Sequence, residues 1–451
     1  MILESRNPAT EETMDLFTVL EDEQLETILA KSIPAFQQWR GTALEQRQAW
    51  LYAIAAQLRE RRSLLAGLIS EEMGKLLRES LEEVDKCATL CEFYADKAPA
   101  MLADETVSPG RFVRFEPLGT VLAIMPWNFP FWQVFRFLVP TLMAGNTALL
   151  KHAPNVPQCA QAIESLIKAA GLPDGVFANL PISVEQTEQL IADQRIHGIA
   201  FTGSEAVGRR VAALAGQHLK KAVLELGGSD PVVVLNDADL DQAVAAALRS
   251  RYRNAGQTCI AAKRFILETG IADDFIAALK AGAEGLCFGD PLADGTAMAP
   301  MARADLRDKL QAQVDASVAM GAKPLLGCRL AEGPGFYYPA SILDHVVPGM
   351  PAFDEEVFGP VAAIVRADHA EHALALANNS RYGLSASIWT ADQYCADRFA
   401  GQIESGMCFI NAQASSDFNM PFGGVKASGL GRELATYGIR EFCNLKSITR
   451  N

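Results

Sequence analysis

Between positions 20 and 100 apolar residues recur every three or four places, as at Leu51, Ile54, Leu58 and Leu65, in a background of Ala, Glu, Gln and Arg. That period lays one apolar stripe along each helix and predicts a helical start to the chain. From position 121 the texture changes. Short apolar runs at 121–125, 147–150, 199–202 and 222–226, bounded by Gly, Pro or Asn, alternate with helical stretches at 158–170 and 184–192. Strands covered on both faces need continuous apolar runs of this kind, so the alternation predicts a parallel α/β sheet. A second alternating block runs from 231 to about 418, with strands expected at 232–235, 264–268, 362–365 and 407–410. Gly110-Arg111-Phe112-Val113-Arg114-Phe115-Glu116 instead alternates with period two, as a hairpin arm with one solvated face does. No internal repeat or low-complexity linker separates the blocks, so the units are expected to pack closely.

Composition narrows the class without changing this picture. A chain of 451 residues exceeds what one hydrophobic core supports, and 49% apolar with 21% charged residues is typical of a globular protein. The net charge of -14 argues against nucleic acid or an anionic membrane as partner, because both select basic surfaces. The most apolar stretch, 129–150, is broken by Gln133, Arg136, Pro140, Gly145 and Asn146, which makes it a poor membrane span. The first residues lack the basic-then-apolar plan of a signal peptide, so the cytoplasm is the expected location. Nine scattered cysteines without a CxxC pair read as reduced thiols, and Cys87 and Cys91 as packed helix residues. The six histidines form no ligand pattern, and no metal is expected.

Four placements carry candidate chemistry. Glu225 sits in an apolar Val223-Leu224-Glu225-Leu226 run, where a buried charge is costly unless it has a task or a partner. Cys259 follows Gly256-Gln257-Thr258, so a thiol nucleophile and a carboxylate base each lie beside a glycine turn, 34 positions apart. If they meet in space, they suit making and hydrolysing a thioester. Arg136, inside 131–137, requires an anion: a ligand, or an internal acid such as Asp417 or Glu225. Ser204-Glu205-Ala206-Val207-Gly208 opens a helix and offers free N–H groups to phosphate, a weak signal taken alone.

Six colinear segments sharpen these readings: Pro126-Trp127-Asn128-Phe129-Pro130, Phe201-Thr202-Gly203-Ser204, Glu225-Leu226-Gly227-Gly228, Gly256-Gln257-Thr258-Cys259, Glu355-Glu356-Val357-Phe358-Gly359-Pro360, and Pro421-Phe422-Gly423-Gly424-Val425-Lys426-Ala427-Ser428-Gly429. Together they resemble the aldehyde dehydrogenase superfamily, over nearly the whole chain from Asn7-Pro8-Ala9-Thr10 onward. The resemblance implies a Rossmann-like dinucleotide-binding domain (1–98 and 118–227), an α/β catalytic domain (228–434) and a β-arm for oligomerisation (99–117 and 435–451). A homodimer or homotetramer is the implied assembly. Cys259 is the implied nucleophile and Glu225 the base that activates water. The Asn128 amide and the Cys259 N–H are the implied oxyanion donors. Asn128 is also placed to cap a helix beginning at Phe129.

For the cofactor, NADP or NAD, the resemblance assigns Lys151 to the adenosine ribose, Gly203 and Ser204 to the pyrophosphate, and Glu356 and Phe358 to the nicotinamide ribose and ring. Met125, Pro126, Trp127, Pro154 and Leu226 complete the expected cofactor set. Many NAD-specific relatives carry a glutamate three residues after the lysine, and Pro154 stands there instead. Without that acid a 2'-phosphate meets no like charge, and Lys151 with His152 is placed to receive it, so NADP is expected to be accepted. The stretch 180–184 also lacks the usual glycine-rich turn. For the substrate, Arg136, Arg253 and Ser416 match positions that grip the distal carboxylate in members oxidising succinate semialdehyde. A short anionic aldehyde is therefore expected, succinate semialdehyde first and glutarate semialdehyde second. The rival readings are a neutral aldehyde on the same fold, or a non-catalytic binding role.

Overall fold

The computed structural model describes residues 2–450. Four helices, Asp22–Trp39, Leu44–Glu60, Arg62–Met73 and Leu77–Met101, form the expected helical start. Cys87 and Cys91 are fully buried in the last of them. An antiparallel hairpin, Ile2–Arg6 with Thr13–Thr18, precedes them and was not anticipated. Its signal is weak because only Leu3 and Ser5 of its first strand are buried.

The first alternating block forms a six-stranded sheet. Its spatial order is Gly429–Leu430, Lys221–Glu225, Ile196–Thr202, Thr120–Met125, Thr147–His152, Phe177–Asn179. All neighbours are parallel except the first pair. From Thr120–Met125 the chain moves outward to Thr147–His152 and Phe177–Asn179, then returns to add Ile196–Thr202 on the opposite side. The strand order therefore reverses between Thr120–Met125 and Ile196–Thr202. In open α/β sheets a ligand crevice forms beyond the carboxyl ends of strands at such a point. The residues emerging there are Pro126 and Gly203.

The second block gives a seven-stranded sheet in the order Lys323–Leu326, Ser341–Asp344, Val361–Ala367, Arg264–Glu268, Pro231–Val234, Ser385–Trp389, Met407–Ile410. Only the edge strand Lys323–Leu326 is antiparallel. The strand expected at 110–116 is present within a separate antiparallel three-stranded sheet of Glu105–Ser108, Arg111–Pro117 and Cys443–Thr449. Among the described residues, no helix is long and apolar enough to cross a membrane.

One expectation requires correction. The helix after Asn128 begins at Trp132, not Phe129, and runs Trp132–Met143. Pro130 disfavours helical backbone at the residue before it, which delays the start. Asn128 therefore does not cap this helix. Its open N–H groups go instead to Glu83, whose Oε1 accepts from Phe131 N and Trp132 N, both at 2.9 Å, while buried Lys75 pairs with the other carboxylate oxygen. Glu72 serves the helix Pro157–Ala169 in the same way, accepting from Gln158 N at 2.9 Å and Cys159 N at 2.8 Å. Helix starts leave such donors unpaired, and here remote buried carboxylates satisfy them.

Candidate active site

The loop that presents Cys259 is held from all sides. It follows the helix Leu240–Tyr252 through a single turn, Arg253–Gly256. Asn254 and Ala255 both have φ 51°, and Gly256 has φ 71°. Left-handed backbone at non-glycine residues persists only where the surroundings enforce it. Buried Arg251 supplies part of that constraint by donating to Gly256 O at 2.7 Å and Ala262 O at 2.9 Å. Asn254 donates its N–H to Glu79 at 3.1 Å and its amide to Asn128 O at 2.9 Å. Gln257 accepts from Ala302 N at 2.9 Å, and Lys263 Nζ donates to Cys259 O at 2.6 Å. Gly256 is needed for space as well as for its φ, since a Cβ there would lie 2.4 Å from Gly359 O.

Asn128, Glu225 and Cys259 line one cavity of about 350 Å³. Asn128 is buried; its Nδ2 donates to Gln257 O at 3.0 Å, and its Oδ1 has no partner. Both carboxylate oxygens of Glu225 are buried without a hydrogen bond. Burial, reinforced by the neighbouring Glu433 carboxylate, holds its pKa well above the ordinary range. Burial also pushes the Cys259 thiol up to about 11, against the opposing pull of Arg136 and Lys263. One cavity thus holds a thiol, which becomes a nucleophile on losing its proton, and a carboxyl group of enhanced basicity that can accept one.

Glu225 owes its place to the far end of the chain. Gly429 lies opposite it in the antiparallel pair, Ser428 O accepts from Leu226 N at 2.9 Å, and Ser428 Oγ donates to Gly227 O at 2.8 Å. Gly227 packs so closely on Glu356 that a Cβ would come within 2.1 Å of its carboxylate. Glu356 in turn accepts from Gly228 N at 3.2 Å.

The same cavity is lined by Pro126, Trp127, Gly203, Ser204, Leu226 and Phe358. Trp127 and Phe358 meet edge to face at 5.8 Å. Ser204 is the N-cap of the helix Glu205–Gln217 and makes no side-chain cap bond, so the first N–H groups stay available to an anion. Free helix-start donors at a switch point, a carboxylate and an aromatic pair fit a dinucleotide. Three expected cofactor residues lie outside this lining. Met125 is buried at its strand end, Lys151 donates to its neighbour's carbonyl, His152 O, at 3.0 Å, and Pro154 is exposed. His152 is not placed to receive a phosphate. Its Nδ1 accepts from Ala153 N and its Nε2 donates to Pro130 O, both at 2.8 Å. Burial lowers its pKa to about 4, so it is uncharged at neutral pH.

Cys259 also lines a second cavity, of about 150 Å³, on the side away from Ser204 and Glu356. Arg136, Arg253 and Ser416 all line it, as does Lys86. Arg136 is fully buried against the Phe422 ring and pairs with Glu433, an acid that neither Asp417 nor Glu225 anticipated. Its Nη2 remains without a hydrogen-bond partner. Arg253 is half-exposed and pairs with Glu82 at 2.5 Å. Ser416 accepts a hydrogen bond from Lys86. Lys86 escaped sequence reading because Leu81-Glu82-Glu83-Val84-Asp85-Lys86 has the look of a solvated helix face.

Comparison with known proteins agrees with this geometry. The profile of the Aldehyde dehydrogenase family matches residues 1–448. Succinate semialdehyde dehydrogenase [NAD(P)+] Sad of Escherichia coli is 48% identical, covering 99% of this chain and 97% of that protein. A probable succinate-semialdehyde dehydrogenase [NADP(+)] of Synechocystis is 45% identical over 99% of both chains. The crystal structure of succinic semialdehyde dehydrogenase from Streptococcus pyogenes with NADP+ superposes with a TM-score of 0.97 at 36% identity, over 99% of each chain. The chain belongs to the aldehyde dehydrogenase family.

Proposed function

We propose that this protein oxidises succinate semialdehyde to succinate with NADP or NAD. The observation that carries the reading is the position of Cys259 between two cavities, one suited to a dinucleotide and the other lined by Arg136, Arg253 and Ser416. Cys259 Sγ, its proton given up to solvent, adds as thiolate to the aldehyde carbon, and the resulting oxyanion takes donors from the Asn128 amide and the Cys259 N–H. NAD(P)+, when bound, accepts the hydride. Trp127 and Phe358 shape the wall on that side, and Glu356 offers its carboxylate to the ribose. Glu225 then removes a proton from the water that attacks the thioester carbonyl, releasing succinate and the Cys259 thiolate. The two arginines and Ser416 hold the distal carboxylate, so the aldehyde end reaches Sγ.

Substrate choice is tested with Arg253→Ala and Arg136→Ala, assayed with succinate semialdehyde, glutarate semialdehyde and hexanal. Loss of a hydrogen bond to a charged group costs about 1.5–3 kcal/mol, so kcat/KM for the semialdehydes should fall about 10- to 100-fold while hexanal is little affected. Arg253 is the cleaner site, because removing Arg136 also strands the buried Glu433 carboxylate. An equal loss with hexanal would overturn the substrate assignment.

Coenzyme choice follows from Pro154. Pro154→Glu should reduce kcat/KM for NADP relative to NAD by about 10-fold, since a carboxylate beside a 2'-phosphate is repulsive. An unchanged ratio would remove Pro154 from the account. The division into dinucleotide-binding, catalytic and arm units, and a homodimer or homotetramer joined through the arm, belong to the same proposal. The exposed outer strand Cys443–Thr449, with Leu445 59% exposed, supports the assembly. A reducing cytoplasm suits the nine unpaired cysteines.

A further inference from the structure

Lys86 faces the smaller cavity from the helix Leu77–Met101, far in sequence from any of the six motif segments. Its ammonium stands 4.1 Å from the Trp132 ring centroid and donates to Ser416 Oγ. Neither contact neutralises it. The two acids that share its cavity already have partners: Glu83 is paired with Lys75 and caps the helix start, and Glu82 is paired with Arg253. Among the described residues Lys86 has no ion-pair partner of its own, and it stands half-buried at the wall it shares with Ser416, Arg136 and Arg253. A desolvated ammonium resting on an aromatic face needs an anion to complete its surroundings.

We propose that Lys86 is a specificity-determining residue that supplies a further positive charge to the substrate's distal carboxylate and orients the Ser416 hydroxyl toward it. This rests on the reading of the cavity as the carboxylate pocket. Ser416 has one proton, and because Lys86 donates to its oxygen that proton stays free to be donated to the carboxylate. The pocket is lined by four basic residues, Lys86, Arg136, Arg249 and Arg253, against two acids, Glu82 and Glu83, a local excess of positive charge that would draw a monoanionic aldehyde into a chain carrying -14 overall.

The arrangement also makes binding sensitive to pH. Burial and the adjacent Arg136 lower the Lys86 pKa to about 8, with Arg253 acting in the same direction and Cys87 and Glu83 opposing. Arg249, bonded to Gln413, and Glu82, paired with Arg253, line the same cavity, while Ser415 and Ser416 contribute hydroxyls and no charge. Below about pH 8 the ammonium is present and binding is tight; above it the charge is lost and KM rises.

The test is steady-state kinetics of the full-length enzyme with saturating cofactor, for wild type, Lys86→Met and Lys86→Arg, against succinate semialdehyde and hexanal across pH 7 to 9. Lys86→Met is expected to raise KM for succinate semialdehyde about 10-fold or more at neutral pH, with kcat and the hexanal KM nearly unchanged. Wild type should show KM rising through about pH 8, and Lys86→Arg should keep KM low and flat there, because its guanidinium stays charged. Equal KM increases for both aldehydes, or parallel KM profiles for wild type and Lys86→Met, would overturn the assignment. If Arg253→Ala discriminates between the aldehydes and Lys86→Met does not, only the role of Lys86 fails. If neither does, the carboxylate pocket itself is misassigned. Should Lys86→Met not fold, Lys86→Gln keeps a donor for Ser416 and permits the same comparison without the charge.

Discussion

Glu225→Gln should form reduced cofactor in a single burst, about one per active site, and then turn over about 10²- to 10⁴-fold more slowly than wild type. The amide preserves the shape of the carboxyl group but cannot take a proton from water, so the thioester on Cys259 forms and persists. A stopped-flow trace at 340 nm separates the two phases, and intact mass after quenching should show the acyl group on the protein. If the burst vanishes together with turnover, Glu225 is also needed earlier, to accept the Cys259 proton. A variant with wild-type steady rate would remove Glu225 from catalysis altogether. The pH dependence follows from burial. Because Glu225 titrates well above an ordinary carboxylate, the wild-type kcat should fall as pH drops through that raised value, the base being lost on protonation. The acid limb attributable to this group should be absent from Glu225→Gln.

Cys259→Ala should lose about 10⁴-fold or more in kcat, since no other thiol lines either cavity and no alternative nucleophile takes its place. The fold should survive the change, because the loop is fixed by Arg251, Asn254, Gln257 and Lys263 acting mainly on backbone groups rather than on the sulfur. Equilibrium titration with NADP should therefore give a Kd close to wild type even as oxidation disappears. Residual activity near the wild-type level would contradict the covalent route. In the enzyme without cofactor, alkylation of Cys259 should accelerate steeply as pH rises toward about 11, where burial places the thiol.

Much of this was legible before any coordinates. The continuous apolar runs announced both parallel sheets, and Glu225 stood out because a carboxylate within Val223-Leu224-Glu225-Leu226 has no cheap explanation. Arg136 stood out in the same way among aromatic residues. What pattern alone did not reveal depends on long-range contact. Glu433, 297 positions from Arg136, is its partner only because the folded chain brings the two together. Nothing in the helical pattern singles out Glu72 and Glu83, which cap the starts of two other helices. His152 beside Lys151 looked like an extra phosphate ligand, yet it turns inward to Pro130. Lys86 is the same kind of case, a charge whose importance lies in what faces it.

The pairing of Gly429–Leu430 with the strand that ends at Glu225 has a consequence for how the enzyme is born. On the ribosome the dinucleotide crevice, the nucleophile loop and both arginines emerge before the segment that buttresses the base. Without the segment 428–430, Glu225 would lack the strand pairing and the Ser428 contacts that hold its neighbours Leu226 and Gly227. Glu225 is therefore set in place only once 428–430 have paired with its strand, so the base depends on a contact that spans some two hundred positions of chain.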